Sequence, residues 1–133
     1  MWRRLKRLGV AKLLDGLVAL PHDARSKEQL EWVADDIAAA GGETTMWIGQ
    51  LASLADERAI VRELSETVAA EYRRVLSDAD AAREVDEAAR RRMLGRLRRE
   101  LRRIRPRDYF PPPEAERARA AVEALAKLSE VRA

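Results

Sequence analysis

The chain has 133 residues, with 26 Lys and Arg, 23 Asp and Glu, no Cys and a formal net charge of +3. This length fits one small domain, and the lack of Cys excludes disulfides and Cys-based zinc sites. Charged residues make up 37% of the chain, against about 25% in average proteins, which is typical of long, solvent-exposed helices. No run approaches the roughly 18 apolar residues of a membrane span and no signal peptide is recognisable, so we expect a cytoplasmic protein without membrane contact.

The first twenty residues predict a short basic helix followed by a hairpin. Met1 to Gly9 places Trp2, Leu5 and Leu8 at helical spacing among basic residues and ends at a glycine. Two short apolar stretches, Val10 to Leu14 and Leu17 to Leu20, are separated by Asp15-Gly16, a dipeptide typical of tight hairpins.

A second helix and a third strand are predicted next. Ser26 is the predicted N-cap of a helix that ends before Gly41-Gly42. Glu43 to Gln50 alternates Thr, Met and Ile with Thr and Trp, the pattern of a half-buried strand. We interpret Trp32 and Trp47 as residues of the core or of a dimer interface, or else as the wall of a ligand cleft.

The second half of the chain is predicted to be helical. An amphipathic helix runs from Asp56 to about Leu76, and Ser77 to Asp80 either breaks it or caps the next helix. A further helix covers about Ala81 to Ile104, with a narrow apolar seam formed by Leu94, Leu97, Leu101 and Ile104. Pro106 ends this helix.

The residues after Pro106 form a predicted elbow and a last helix. Arg107 to Pro113 contains Tyr109 and Phe110, which we expect to fix the elbow against the helices. The last helix carries a second apolar stripe and is expected to fold back on the Leu94 to Ile104 seam as a helical hairpin. That stripe consists of Ala118, Val122, Leu125 and Leu128.

This order of elements predicts an α+β fold, a ferredoxin-like βαββαβ unit missing its first strand, followed by a helical extension with a long helix and a C-terminal helical hairpin. We place the truncated ferredoxin-like unit at residues 1–54 and the extension, packed on it in a single structural domain, at residues 55–133. Three explanations of the missing strand stay open, namely a true start further upstream, direct pairing of the third strand with the hairpin, or a partner chain that fills the gap.

Five segments in the same order resemble the N-terminal domain of the ChrB chromate-resistance regulators over essentially the whole chain. They are Trp2-Arg-Arg-Leu-Lys-Arg-Leu-Gly9, Leu13-Leu-Asp-Gly16 with Val18-Ala-Leu-Pro21, Ser26-Lys-Glu-Gln-Leu-Glu-Trp32, Gly41-Gly-Glu-Thr-Thr-Met-Trp47 and Arg105-Pro-Arg-Asp-Tyr-Phe110. The resemblance implies a ferredoxin-like domain with a helical extension, and a cytoplasmic regulator or sensor of a chromate efflux transporter. The chain departs from the family pattern in lacking the first strand and the C-terminal domain of longer members, and in having Leu14 where Gln is expected.

Two basic segments are candidate binding sites. The N-terminal helix offers Arg3, Arg4, Lys6 and Arg7 to an oxyanion such as chromate, because guanidinium groups match tetrahedral oxyanions. Residues 88 to 107 hold ten Arg and one Glu, and here a nucleic-acid interface is predicted. Its phosphate contacts would come from Arg91, Arg98, Arg102 and Arg103. The competing interpretation of both segments is a solvated helix face that pairs with acidic residues or keeps the protein soluble.

No catalytic or metal site and no cofactor are predicted. The single His22 is best explained as a polar turn residue, and Asp35 and Asp36 face different directions on a helix. Our first hypothesis is a dimeric ChrB-type transcriptional regulator that binds DNA and responds to an oxyanion. The alternative is a non-enzymatic module for protein–protein interaction or dimerisation, and a phosphodiesterase-like activity rests on fold analogy alone.

Overall fold

The computed structural model describes residues 2–131, and the backbone divides into two compact units, residues 1–61 and 62–133. Its helices are α1 (Trp2–Leu8), α2 (Ala24–Ala39), α3 (Leu54–Ala82), α4 (Glu87–Ile104) and α5 (Pro113–Val131), with a 3-10 turn at Arg105–Arg107. The strands are β1 (Ala11–Leu14) and β2 (Leu17–Ala19). The chain is thus rich in α-helix with a small antiparallel sheet, as the α+β prediction requires.

The predicted N-terminal helix and hairpin are confirmed. Helix α1 ends at Leu8, and the φ of 76° at Gly9, directly after it, lies in the left-handed region that glycine adopts without a Cβ penalty. Strands β1 and β2 pair antiparallel, with Ala11 opposite Ala19 and Leu14 opposite Leu17. Gly16 takes a φ of 82° in the turn between them, so the glycine of the Asp-Gly pair provides the left-handed residue of the hairpin.

Helix α2 begins three residues earlier than the sequence predicts. The N-cap is Asp23, whose carboxylate accepts a 2.7 Å hydrogen bond from the backbone N–H of Ser26. Both Ser and Asp are good N-caps, and the prediction of Ser26 was wrong because Ser26 lies in the first turn and is buried. The cap hydrogen bond lowers the pKa of Asp23. Gly41, with a φ of 89°, ends the helix as predicted.

The strand predicted over Glu43 to Gln50 does not form, and residues 43–50 have no regular secondary structure. Alternation in a sequence specifies which side chains share a face, but a strand also needs a neighbour to pair with its backbone. Among the described residues, β1 and β2 pair only with each other. Trp47 is 83% exposed and Trp32 55% exposed, so neither is a core residue of unit 1.

The second unit is built around one apolar core shared by α3, α4 and α5. Leu94, Leu97 and Ile104 of the predicted seam are buried against α5, which confirms the predicted helical hairpin. The 3-10 turn at Arg105–Arg107 contacts α4. The α5 stripe contributes Ala118, Val122 and Leu125, and α3 contributes Val68, Tyr72, Val75, Ala79 and Ala82.

Helix α3 continues through the possible break at Ser77 to Asp80 and ends at Ala82. Ala79 and Ala82 are buried, so packing favours helix over the local preference of Ser and Asp for caps and turns. Helix α4 therefore begins at Glu87 rather than at Ala81, with Asp86 as its N-cap. The Asp86 carboxylate accepts a 2.8 Å hydrogen bond from the N–H of Ala89.

None of the helices in the described part of the chain is long and apolar enough to cross a membrane.

Candidate nucleic-acid and anion sites

One arginine of the basic segment is part of the core. Arg90 is 1% exposed, and its guanidinium donates to the backbone carbonyls of Ala82, Arg83 and Val85 at 2.9 to 3.2 Å. It also pairs with Glu87 at 3.0 Å. Arg90 satisfies the last carbonyl of α3 and two carbonyls of the turn that follows, so it connects α3 to α4 and is not available to a ligand.

Two further arginines of α4 are exposed and ion-paired. Nε of Arg91 lies 3.0 Å from Glu87, and Arg96 contacts Asp78 at 3.4 Å and Glu100 at 3.8 Å. Such exposed pairs add little stability, but they reduce the positive charge that these side chains present to solvent. The positive charge of Arg91, one of the predicted phosphate contacts, is therefore partly neutralised by Glu87.

The other six arginines from 92 to 105 are exposed, and no ion pair or hydrogen bond engages their guanidinium groups among the residues that the structure describes. They are Arg92, Arg98, Arg99, Arg102, Arg103 and Arg105. Three of the four predicted phosphate contacts, Arg98, Arg102 and Arg103, belong to this set.

The six unpaired arginines form two strips along α4, with Arg105 as the helical C-cap residue directly after its last turn. At 3.6 residues per turn, the first strip (Arg98, Arg102, Arg105) and the second strip (Arg92, Arg99, Arg103) lie about 110° apart around the helix axis. Gly95 lies between the two strips and has no side chain. The helix therefore presents positive charge on two sides of a narrow central line, and its apolar seam faces the core.

The basic residues of α1 do not share one face. Arg4 forms an ion pair with Asp36 of α2. Lys6 and Lys12 lie 5.9 and 5.5 Å from the ring centre of Trp2. Arg3 and Arg7 share a face, as residues four apart do. Oxyanion binding by Arg3, Arg4, Lys6 and Arg7 stays a prediction. Of these residues Arg4 is half-buried, and the other three are exposed.

Two side-chain contacts that the sequence did not reveal fix the elbow to α3. Tyr72 donates a 2.6 Å hydrogen bond to Asp108 Oδ2. Next to it, Arg107 donates to both carboxylate oxygens of Glu71, at 2.6 and 3.1 Å. Burial, with the Asp108 hydrogen bond second, raises the pKa of Tyr72. These residues are 36 positions apart in sequence, and no local pattern pairs them.

A cleft of about 220 Å³ lies between α4 and α5. Arg91, Leu94 and Arg98 line it from α4, and Ala126, Ser129 and Glu130 line it from α5. Ser129 is 8% exposed, and its hydroxyl has no hydrogen-bond partner in the described part of the chain. Ser129 could not be predicted from the sequence, because an isolated serine near the end of a helix carries no signal.

Within residues 2–131, no three His, Cys, Asp or Glu side chains are grouped so that they could hold a metal ion. His22 is exposed just after the hairpin, in agreement with its interpretation as a polar residue between elements.

Comparison with curated protein sequences and with solved structures finds no match. A family model described as the N-terminal part of protein ChrB matches residues 1–131. Since this match spans nearly the whole chain, the protein belongs to the ChrB N-terminal family.

Proposed function

We propose that this chain is a chromate-resistance-type regulatory protein that binds duplex DNA through the two basic strips of α4. The single observation that carries the proposal is the set of six exposed guanidinium groups without acidic partners in the described residues. Membership of the ChrB family supports the regulatory context.

The geometry of the strips suits a helix lying along a nucleic-acid groove. The major groove of duplex DNA is about 12 Å wide and admits an α-helix, with phosphates on both walls. Two strips about 110° apart would each face one wall, while the line through Gly95 would face the groove floor. Gly95 cannot read bases, so this surface supports phosphate contacts more than sequence recognition.

The proposal predicts a steep dependence of DNA binding on salt. Each neutralised phosphate contributes about −0.9 to the slope of log K against log salt concentration, so six contacts give a slope of about −5. Fluorescence anisotropy with a labelled duplex of about 20 base pairs, over a series of NaCl concentrations, measures this slope. A slope near zero would contradict the proposal.

An oxyanion signal is a second part of the proposed function, and family membership is its only support. Arg3 and Arg7 are the candidate residues of α1 that keep exposed, unpaired guanidinium groups among the described residues. Calorimetric titration with chromate and with sulfate tests this part. Heat of binding that disappears in Arg3→Gln/Arg7→Gln supports it, and the absence of heat in the wild type contradicts it.

Self-association through unit 1 is the second candidate function, and the exposed apolar side chains of this unit favour it. Met46, Trp47 and Ile48 are 39%, 83% and 57% exposed, on a segment with the alternation of a strand and no strand neighbour. The hairpin residues Leu13 and Leu14 are 41% and 61% exposed.

We infer that the partner is a second copy of this chain. Each copy carries both an unpaired strand-like segment, residues 43–50, and a two-stranded sheet with open edges. In a reciprocal exchange, residues 43–50 of each copy would pair with the hairpin of the other copy. Such an exchange would give the strand-like segment a backbone partner, cover an open edge of each sheet, and yield the twofold symmetry common in dimers. The exchange would also supply the third strand of the ferredoxin-like arrangement.

A further inference from the structure

We propose that the cleft between α4 and α5 is a binding site for a tetrahedral oxyanion, held by the guanidinium groups of Arg91 and Arg98 and by the hydroxyl of Ser129. This site differs from the basic residues of α1, and it is formed entirely within the second unit. It does not rest on DNA binding, since it can be tested with the protein and an inorganic anion alone.

Arg91 and Arg98 converge on the cleft from one helix. They are seven residues apart, which is two turns or about 10.5 Å along the helix, and Leu94 lies between them in the cleft. Nε of Arg91 is held by Glu87, which orients this side chain and leaves its two terminal nitrogens as donors. Arg98 has all five N–H donors unengaged among the described residues. Planar guanidinium groups bind tetrahedral oxyanions in bidentate fashion.

The buried hydroxyl of Ser129 also points to a ligand in the cleft. Its side chain is buried and lines the cleft, yet its hydroxyl oxygen has no partner in the described residues. A buried polar group without a hydrogen bond costs free energy, about 1 to 3 kcal/mol in proteins. An oxyanion oxygen in the cleft would accept the Ser129 hydroxyl hydrogen and remove this cost.

The size and lining of the cleft agree with a small ligand. At about 30 Å³ per water, a volume of about 220 Å³ holds a phosphate or sulfate ion together with a few waters. Glu130 also lines the cleft, and its negative charge opposes an anion. Glu130 is exposed, so water screens this repulsion and its removal does not disturb the core.

The test is a phosphate titration of the full chain at constant ionic strength, balanced with NaCl and followed by amide and Arg side-chain NMR shifts. We expect the NMR signals of residues 91–98 and 126–130 to shift in a saturable way with phosphate. Sulfate should shift the same signals. Ser129→Ala and Arg98→Gln should each weaken phosphate binding about tenfold. Glu130→Gln should strengthen it about two- to threefold.

Arg99→Gln is the matched control, because it removes the same charge from the same helix outside the cleft. Equal weakening by Arg99→Gln and Arg98→Gln, or no effect of Ser129→Ala, would overturn the proposal and leave only general charge attraction. Ser129→Ala removes an unpartnered buried hydroxyl and keeps a good helix former, so it is expected to fold.

Two sources could provide the oxyanion, a free ion or a phosphate of the DNA backbone. Anisotropy measurements with the labelled duplex distinguish them. We expect Ser129→Ala to leave DNA affinity unchanged while it weakens phosphate binding, which assigns the cleft to a free oxyanion. A tenfold loss of DNA affinity with no loss of phosphate binding would contradict a free-ion site.

Discussion

Tyr72 of α3 and Asp108 of the elbow are joined by a 2.6 Å hydrogen bond between the phenol and one carboxylate oxygen. Tyr72 is 2% exposed and belongs to the core of the second unit. The bond therefore connects the core to the segment between α4 and α5, and the ion pair of Glu71 with Arg107 supports it at the next position in each segment. Together these contacts determine how the chain leaves α4 and enters α5.

Loss of the Tyr72 hydroxyl should destabilise the protein. Tyr72→Phe keeps the ring in the core but removes the donor to Asp108, and hydrogen bonds to charged groups contribute about 1.5 to 3 kcal/mol. We expect the free energy of unfolding in urea to fall by about 2 kcal/mol. In a double-mutant cycle with Asp108→Ala, the two effects should be far from additive. Additive effects would show that the two side chains do not interact.

The stability of the protein should depend on Tyr72 at high pH. Burial, and then the hydrogen bond to Asp108, raises the pKa of Tyr72 above its ordinary value of 10.0. The folded state thus holds the phenolic proton more tightly than the unfolded state. Its contribution is fully present below pH 10 and is lost as the pH rises above 10. The stability difference between the wild type and Tyr72→Phe should shrink from pH 9 to pH 11, and a constant difference would contradict this assignment.

Arg90 should matter for stability far more than its neighbours on α4. Arg90→Met removes four hydrogen bonds, three of them to buried or half-buried carbonyl groups at the junction of α3 and α4. Breaking such a buried charged network costs about 3 to 5 kcal/mol. The control Arg92→Met changes an exposed, unpaired residue and should shift the free energy of unfolding by less than about 0.5 kcal/mol. Similar values for both variants in urea unfolding would refute the structural role of Arg90.

The proposed strand exchange predicts a dimer that depends on residues 43–50. Light scattering should give twice the chain mass of 15.1 kDa for the wild type at micromolar concentration. Trp47→Ser/Ile48→Ser should give a monomer, because the two most exposed of the three apolar side chains in the exchanged segment are lost. Phe110→Ser is the control, since Phe110 is also an exposed apolar residue but lies in the second unit. A monomeric wild type, or a double variant that stays dimeric, would argue against the exchange.

The helical half of the fold follows from the sequence because its apolar periodicity is strong. The seam at Leu94, Leu97 and Ile104 predicts which side of α4 is buried. Arg90 lies four residues before Leu94, on the same side of the helix as this seam. Its position in the helical repeat is the sequence signal that distinguishes it from the solvent-exposed arginines. Its role as a cap of α3 depends on a junction that local sequence does not describe.

The first half of the fold was harder to predict because pairing between distant segments decides it. The alternation of residues 43–50 is genuine, but a strand requires a partner edge, and one chain does not provide it in this structure. Likewise, Ser and Asp at 77 to 80 favour caps in isolation, whereas the burial of Ala79 and Ala82 keeps them helical. For the candidate site, sequence identified the basic segment, and only the structure separated paired from unpaired arginines.

We propose that the unpaired arginines of the two strips, rather than positive charge in general, bind DNA. The most direct measurement compares the salt slope of duplex binding for two triple variants that remove the same charge. Arg98→Gln/Arg102→Gln/Arg105→Gln removes the first strip. Arg62→Gln/Arg74→Gln/Arg83→Gln removes three exposed arginines outside the strips, two in α3 and one in the turn just after it. We predict that the first variant reduces the magnitude of the slope by about 2.7, at 0.9 per lost contact, while the second leaves it unchanged. An equal reduction of the slope in both variants, or no reduction in the first, would show that the strips do not bind DNA.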